Sequence, residues 1–126
     1  MLVPDTTQPG STEDREVAAE PEDLGRLFLA RASAGDVEGV VALYQADAVL
    51  ALAGGEVAAG HAAIRRFYSE LLGAGRAFAG DVRPALRSGD LALTTTRFAG
   101  GVTAEIARYQ PDGSWRWVVD QPNVLA

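Results

Sequence analysis

Residues 34–49, AGDVEGVVALYQADAV, contain the corner on which the predicted fold is built. Gly35 ends one helical pattern and Asp36 begins the next, because an aspartate side chain can accept hydrogen bonds from the free N–H groups of a first helical turn. The apolar residues that follow recur at the spacing of one helix face: Val37, Val40, Val41 and Tyr44. The stretch therefore predicts two helices that meet at a tight corner.

The chain on either side of this corner extends the pattern. Before it, apolar residues at helical spacing predict a first helix that starts near Pro21: Leu24, Leu27, Phe28 and Ala32. After it, residues 48–53 predict a short strand, Gly54-Gly55 a turn, and residues 56–59 a partner strand. A third helix is predicted after Gly60, with one apolar face: Ile64, Phe67, Tyr68 and Leu71.

The second half of the chain alternates between apolar and polar residues. It predicts four strands joined by short turns, at 81–87, 91–98, 102–109 and 114–119. Consecutive strands on short turns pair in antiparallel fashion. The predicted fold class is therefore α+β: a cone-shaped, curved antiparallel sheet wrapped on an N-terminal helical hairpin plus a third helix, with an apolar interior that suits a small molecule.

The composition excludes several classes of site. The 126 residues support one domain, with no cysteine, a single histidine (His61), and arginine as the only basic residue type. Disulfides, thiol nucleophiles, Schiff-base lysines and multi-histidine metal sites are thereby excluded, and we expect neither a metal nor a cofactor. No apolar run is long enough to span a membrane and no secretory signal is visible, which predicts a cytoplasmic protein.

The negative charge is concentrated near the N-terminus. Residues 1–23 hold seven acids and one arginine, which accounts for the whole formal net charge of −6, and the rest of the chain is balanced. The balanced part offers no basic excess for nucleic acid or for an anionic membrane surface. Residues 1–20 are also rich in proline and small polar residues, which predicts a flexible acidic leader before a single domain at 21–126.

Three parts of the sequence together resemble a known superfamily. They are residues 34–49, the segment from Gly60 to Tyr68, and the closing run 110–122, QPDGSWRWVVDQP. Over residues 22–122 their order is similar to that of the nuclear transport factor 2-like superfamily, and within it to ketosteroid isomerase-like proteins and SnoaL-like polyketide cyclases. The resemblance implies a cystatin-like cone that encloses a small-molecule pocket.

The same resemblance gives roles to individual positions. Ketosteroid isomerase uses a carboxylate base, together with a tyrosine and a protonated carboxylic acid that hold the enolate oxygen. Here Phe28 stands at the position of the tyrosine and Leu52 at that of the base, while Glu105 retains the acid. Tyr44 and Tyr68 match two supporting tyrosines. Without the base and one donor, isomerisation of a steroid by the family mechanism is not expected.

Glu105 and Asp120 are the predicted catalytic residues. Glu105 lies among small apolar neighbours, and Asp120 shares its strand parity with Arg116 and Val118, which the resemblance places on the side facing the cone. A carboxyl in an apolar cavity has a raised pKa and can act as a general acid. Alternatively, Glu105 points outward and pairs with an arginine, while Asp120 satisfies the backbone at the end of its strand.

The other pocket residues follow from helix faces and from the resemblance. The predicted substrate-binding set is Phe28, Tyr44, Leu52, Phe67, Tyr68, Arg97 and Val118. Arg97 would reach Glu105 across a hairpin in an arrangement that resembles limonene-type epoxide hydrolases, although Thr103 stands where those enzymes carry an arginine; otherwise Arg97 is a solvated rim charge. His61, at the start of the third helix, is either a residue of the pocket mouth or an ordinary surface residue.

Trp115 and Trp117 alternate with Arg116 on the last predicted strand, so both should lie on one face of the sheet. Two exposed tryptophans would form a large apolar patch on a small protein. We therefore expect this face to be the convex side of the sheet, buried against a second copy in a homodimer.

Two functions are open at this point. One is a cofactor-independent enzyme that binds an apolar carbonyl-, enol- or epoxide-bearing molecule. It would use Glu105 and Asp120 for the proton transfers of isomerisation, cyclisation, dehydration or ring opening. The other is a non-catalytic accessory domain that binds a small molecule or forms a dimer. Neither function involves nucleic acid or a membrane.

Overall fold

The computed structural model describes residues 15–125. Within this range the helices are α1 (Glu22–Ser33), α2 (Val37–Val41) and α3 (Gly60–Leu72), with a short 3-10 turn at Ala53–Gly55. The strands are β1 (Tyr44–Ala51), β2 (Val57–Ala59), β3 (Asp81–Val82), β4 (Leu86–Ser88), β5 (Leu91–Thr94), β6 (Thr96–Phe98), β7 (Gly101–Val102), β8 (Ala104–Tyr109) and β9 (Trp115–Gln121). The predicted α+β class is confirmed. In this part of the chain no helix is both long and apolar enough to cross a membrane.

The helical corner forms as predicted, but its second helix is short. The Asp36 side chain accepts a hydrogen bond of 3.0 Å from the Gly39 N–H, and Gly35 has a φ of +71°, a conformation that glycine adopts without strain. Helix α2 ends at Val41, and Tyr44 begins strand β1 instead of the fourth position of a helix face. A helix this short is only marginally stable on its own, so a further turn would add little. Tyr44 instead pairs with Trp117 on β9.

The sheet is mixed rather than purely antiparallel. Six strands lie in the order β2-β1-β9-β8-β5-β4, and β1 runs parallel to β9 while the other neighbours are antiparallel. Strands β3, β6 and β7 form a second, smaller sheet. The predicted strands 81–87 and 91–98 are each divided between the two sheets. Pro84 interrupts the first, because proline cannot donate to a strand ladder.

A β-bulge decides which side chains of β9 face inward. Ile106 on β8 pairs with Val119, but the next residue, Ala107, pairs with Trp117, so Val118 has no partner of its own. The extra residue shifts the alternation along the strand. As a result Trp117 and Asp120 both lie on the inner face, each at most 5% exposed. The prediction that Val118 faces the cone was wrong for this reason.

The same bulge overturns the expected position of the tryptophans. Trp115 and Trp117 are 4% and 3% exposed and pack inside the chain, not on the convex face. The outer face instead carries a row of paired apolar residues across five strands: Leu86, Leu93, Ile106, Val119 and Val49. Leu86, Leu93 and Val119 in this outer row are exposed. A homodimer therefore stays a prediction, with the outer row in place of the tryptophans.

Residues 15–20 were predicted to belong to a flexible leader, yet they pack against the domain. The Trp115 N–H donates a 2.8 Å hydrogen bond to the Ala18 carbonyl, and Ala18 is buried. Arg15 pairs with Asp36 at 3.2 Å. The leader boundary at residue 20 was therefore wrong by several residues. The rest of the predicted leader, residues 1–14, lies outside the described residues.

Candidate active site

A cavity of about 220 Å³ lies between the helices and the concave face of the larger sheet. Its apolar walls include several aromatic side chains: Phe28 from α1, Phe67 from α3, Phe78 from the following loop, Phe98 from β6 and Trp117 from β9. Its polar groups come from Glu105, Asp120, Tyr68, Thr96 and Thr103. None of the residues that line it is an arginine or a histidine. Of the residues described, Glu105 and Asp120 are therefore the only carboxyls in a wall whose other polar groups are hydroxyls.

The two carboxyls are neighbours across a strand pair. Glu105 on β8 and Asp120 on β9 are direct partners in the register, so their side chains leave the sheet side by side on its inner face. Each residue is only 5% exposed. The structure thus brings together the two residues that the sequence singled out as acid and base, and it excludes the alternative in which Glu105 points outward.

Asp120 ends a chain of two tyrosines. The Tyr44 hydroxyl donates to Asp120 Oδ2, and the Tyr44 and Tyr68 hydroxyl oxygens are 2.8 Å apart. Because the Tyr44 proton is used toward Asp120, the Tyr68 hydroxyl donates to Tyr44. The second oxygen of Asp120, Oδ1, is buried and has no hydrogen-bond partner. Asp120 is therefore held by a phenol on one side and is unsatisfied on the other.

The surroundings of the pair favour its protonated forms. Burial raises the pKa of Glu105, and the neighbouring Asp120 raises it further, while hydrogen bonds from Thr94 and Thr103 oppose the increase. Burial also raises the pKa of Asp120, against the hydrogen bond from Tyr44. The pKa values of Tyr44 and Tyr68 lie above the usual range, mainly because of burial, so both tyrosines stay neutral donors. Since two adjacent buried carboxyls resist double ionisation, the pair holds a proton into the neutral pH range.

Among the other predicted pocket residues, Phe28, Phe67 and Tyr68 line the cavity. Tyr44 does not line it but stands behind Asp120, which it holds through its hydroxyl. Leu52 is half-buried against the core and lies outside the cavity wall. It follows the last residue of β1, where the chain leaves the sheet.

Arg97 and His61 are both placed away from the cavity. Arg97 is exposed on β6, where its neighbour Thr96 takes the inward position, so it does not reach Glu105. The His61 ring nitrogen Nε2 lies 2.7 Å from the Tyr44 carbonyl oxygen, which ties the start of α3 to the start of β1. We therefore read His61 as a structural contact, and the expectations of a cavity arginine and a mouth histidine were wrong.

Several cavity residues escaped the sequence prediction. Phe78 lies in a loop that carries no periodic signal, Phe98 ends the predicted strand 91–98 but was given no role there, and Trp117 was assigned to the opposite face. Thr94, which does not line the cavity but hydrogen-bonds to Glu105, could have been found because it follows the buried Ala92 by two positions on one strand. No group of three or more histidine, aspartate or glutamate side chains in residues 15–125 is arranged to hold a metal ion.

Comparisons with known proteins agree with this architecture. The family model of the SnoaL-like domain matches residues 26–122. A ketosteroid isomerase-like protein from Erwinia carotovora atroseptica is 22% identical, with a TM-score of 0.67, over 79% of this chain and 89% of the other. A domain of unknown function with a cystatin-like fold from Nostoc punctiforme has a TM-score of 0.69 at 15% identity, over 79% of this chain and 72% of the other.

A third similar structure is an NTF2-like protein with a cystatin-like fold from Novosphingobium aromaticivorans. It is 25% identical, with a TM-score of 0.58, over 79% of this chain and 76% of the other. A search of curated proteins gave no match. The resemblance drawn from the sequence is confirmed at the level of family and fold. The chain belongs to the family of SnoaL-like domains.

Proposed function

We propose that the protein is a small enzyme that needs no cofactor and catalyses proton transfer on an apolar carbonyl-, enol- or epoxide-bearing molecule held in the cavity. The observation that carries this proposal is the pair Glu105 and Asp120, buried side by side in the wall of an aromatic cavity. Two neighbouring acids with raised pKa values are costly to bury. They are also the groups that general acid–base catalysis near neutral pH requires.

The hydrogen bonds favour different roles for the two acids. A phenol is a more acidic donor than an aliphatic hydroxyl, so Tyr44 stabilises a carboxylate on Asp120 better than Thr94 does on Glu105. Asp120 is therefore the base that takes a proton from carbon, and Glu105 is the acid. In an enolisation the carbon proton moves to Asp120 while Glu105 gives its proton to the carbonyl oxygen. In a dehydration Glu105 protonates the departing hydroxyl, which leaves as water.

The cavity limits the substrate. A volume of about 220 Å³ is below the ~300–1,000 Å³ of sites for drug-sized ligands, so a molecule of one or two rings fits better than a steroid. No cationic side chain lines the cavity to hold a carboxylate or a phosphate. The ligand is therefore a small neutral molecule whose carbonyl, hydroxyl or epoxide oxygen meets the carboxyl pair.

The proposal is tested by a ligand panel followed by turnover. Monocyclic and bicyclic ketones, enones and epoxides are screened by thermal shift against the wild type, and every compound that raises the melting temperature is assayed for conversion by NMR. Turnover of at least one compound, lost in Glu105→Gln, is the expected result. If compounds bind but none is converted, the proposal that the protein is an enzyme is contradicted.

The alternative is a non-catalytic domain that binds a small molecule and forms a homodimer. The outer row, in which Leu86, Leu93 and Val119 are exposed, favours association with a second copy. The replacement of two ketosteroid isomerase positions by Phe28 and Leu52 is in keeping with lost activity. Ligand binding that survives in Glu105→Gln, together with a stable dimer and no turnover, would favour this reading.

A further inference from the structure

A chain of two hydrogen bonds crosses three strands of the sheet and ends on Glu105. The Trp117 indole Nε1 donates to Thr94 Oγ1 at 3.0 Å, and Thr94 Oγ1 donates to Glu105 Oε1 at 2.6 Å. All three residues are at most 5% exposed. Thr94 does not line the cavity, so it acts on any substrate only through Glu105.

The residues between these partners make the chain feasible. Thr94 pairs with Glu105 across β5 and β8, while Trp117 on β9 pairs with Ala107. The indole must therefore pass over β8 to reach β5, a span of two strand spacings, or about 10 Å. Ala107 and its partner Ala92 are both buried, and their methyl groups leave room for the ring. A larger side chain at either position would block it.

The chain runs from Trp117 through Thr94 to Glu105. An indole N–H can only donate, and a threonine hydroxyl has a single proton. Thr94 Oγ1 accepts from Trp117, and its own proton points to Glu105 Oε1, which is the acceptor of that hydrogen bond. An exchangeable proton on Glu105 is then carried by the other oxygen, Oε2.

We propose that Thr94, oriented by Trp117, is the positioning residue that keeps Oε1 of Glu105 as an acceptor and presents the acidic proton on Oε2 to the substrate. This inference rests on the proposed function, in which Glu105 is the acid. It adds a defined orientation of that acid before any ligand enters. Trp117 thus has two roles, as a wall of the cavity and as the donor that starts the chain.

The proposal predicts how the protonation of Glu105 responds to substitution. Thr94→Val keeps the shape but removes one of the two donors, Thr94 and Thr103, that stabilise the carboxylate, so the pKa of Glu105 should rise further. The loss of a hydrogen bond to a charged group corresponds to about a tenfold change in the protonation equilibrium. The titratable groups that face Glu105 are Asp120, directly, and Tyr68; Tyr44 acts through Asp120.

The experiment is a pH titration of the Glu105 side-chain carbon by NMR in uniformly labelled protein, with the signal assigned by Glu105→Gln. Thr94→Val should raise the apparent pKa of Glu105, with an increase of about tenfold in its protonation constant. Thr94→Ser, which keeps the hydroxyl, should restore the wild-type value. Trp117→Phe should shift it in the same direction but less, because Thr94 is then free to rotate. Thr95→Val is the matched control, since Thr95 lies outside the cavity wall and contributes its carbonyl to Arg83.

The outcomes separate this inference from the proposed function. An unchanged titration in Thr94→Val and Trp117→Phe would overturn the positioning role, as would a shift that Thr94→Ser does not restore. If Thr94→Val does not fold, Trp117→Phe decides alone: a shift supports the chain and no shift overturns it. A wild type without turnover would contradict the proposed enzymatic function, while the titration would still report on the hydrogen bonds from Trp117 through Thr94 to Glu105. Where a substrate is found, the alkaline limb of the kcat/KM profile should move by the same amount.

Discussion

Replacing Glu105 by glutamine should stabilise the protein while removing its activity. Glutamine keeps the shape of the side chain and an oxygen that can accept from Thr94, but it cannot ionise or exchange a proton. In the wild type, burial raises the pKa of Glu105 from 4.5 to about 8. The folded state therefore holds a proton that the unfolded state has released over this pH range.

The magnitude follows from that difference. Below pH 4.5 both states are protonated and Glu105 costs nothing; as the pH rises toward 8 the free energy of unfolding falls. Each pH unit is equivalent to about 1.4 kcal/mol, so at pH 7 the wild type has lost about 3 kcal/mol. If glutamine recovers about half of this, the melting temperature should rise by roughly 5 °C, and more at pH 8 than at pH 5.

The assay is thermal unfolding of wild type and Glu105→Gln from pH 4.5 to 8.5. Glu70→Gln, an exposed position on α3, is the matched control and should leave the melting temperature within about 1 °C. With a substrate in hand, kcat of Glu105→Gln should fall by about 100-fold or more, the usual contribution of a general acid. Two results would refute the argument that Glu105 is buried in its neutral form. One is a variant that melts below the wild type at pH 8, and the other is a difference in melting temperature that is the same at every pH.

Three further changes test the carboxyl pair, the N-terminal segment and the outer sheet face. Asp120→Asn should also lower kcat by about 100-fold, and combining it with Glu105→Gln should add little, because the two act as one unit; additive losses would argue against a pair. A chain that begins at residue 21 should melt about 5 °C or more below one that begins at residue 15, and equal melting would show that residues 15–20 add no stability. Leu93→Glu should weaken dimerisation in sedimentation experiments with the fold intact, whereas Trp115→Glu should unfold the protein; a wild type that is monomeric at micromolar concentration rules out the dimer.

Much of the architecture was determined by local sequence. The glycine–aspartate corner at Gly35, the face of α3 around Ile64 and the turns of the second half use signals that act within a few residues. These were sufficient for the α+β class and the family resemblance. The resemblance in turn predicted that Glu105 and Asp120 face the cavity, although the strand parity used for Asp120 was wrong.

Tertiary structure alone decided the inner face of β9 and with it the environment of the site. A bulge at Val118 depends on the partner strand, since it exists only where two residues oppose one, and strand alternation cannot reveal it. The parallel pairing of β1 with β9 likewise joins segments some seventy residues apart and turns Tyr44 from a helix position into a strand residue that holds Asp120. Local preferences are weak beside such long-range contacts. The sequence therefore indicates which two residues form the carboxyl pair, but only the folded chain shows which donors orient them.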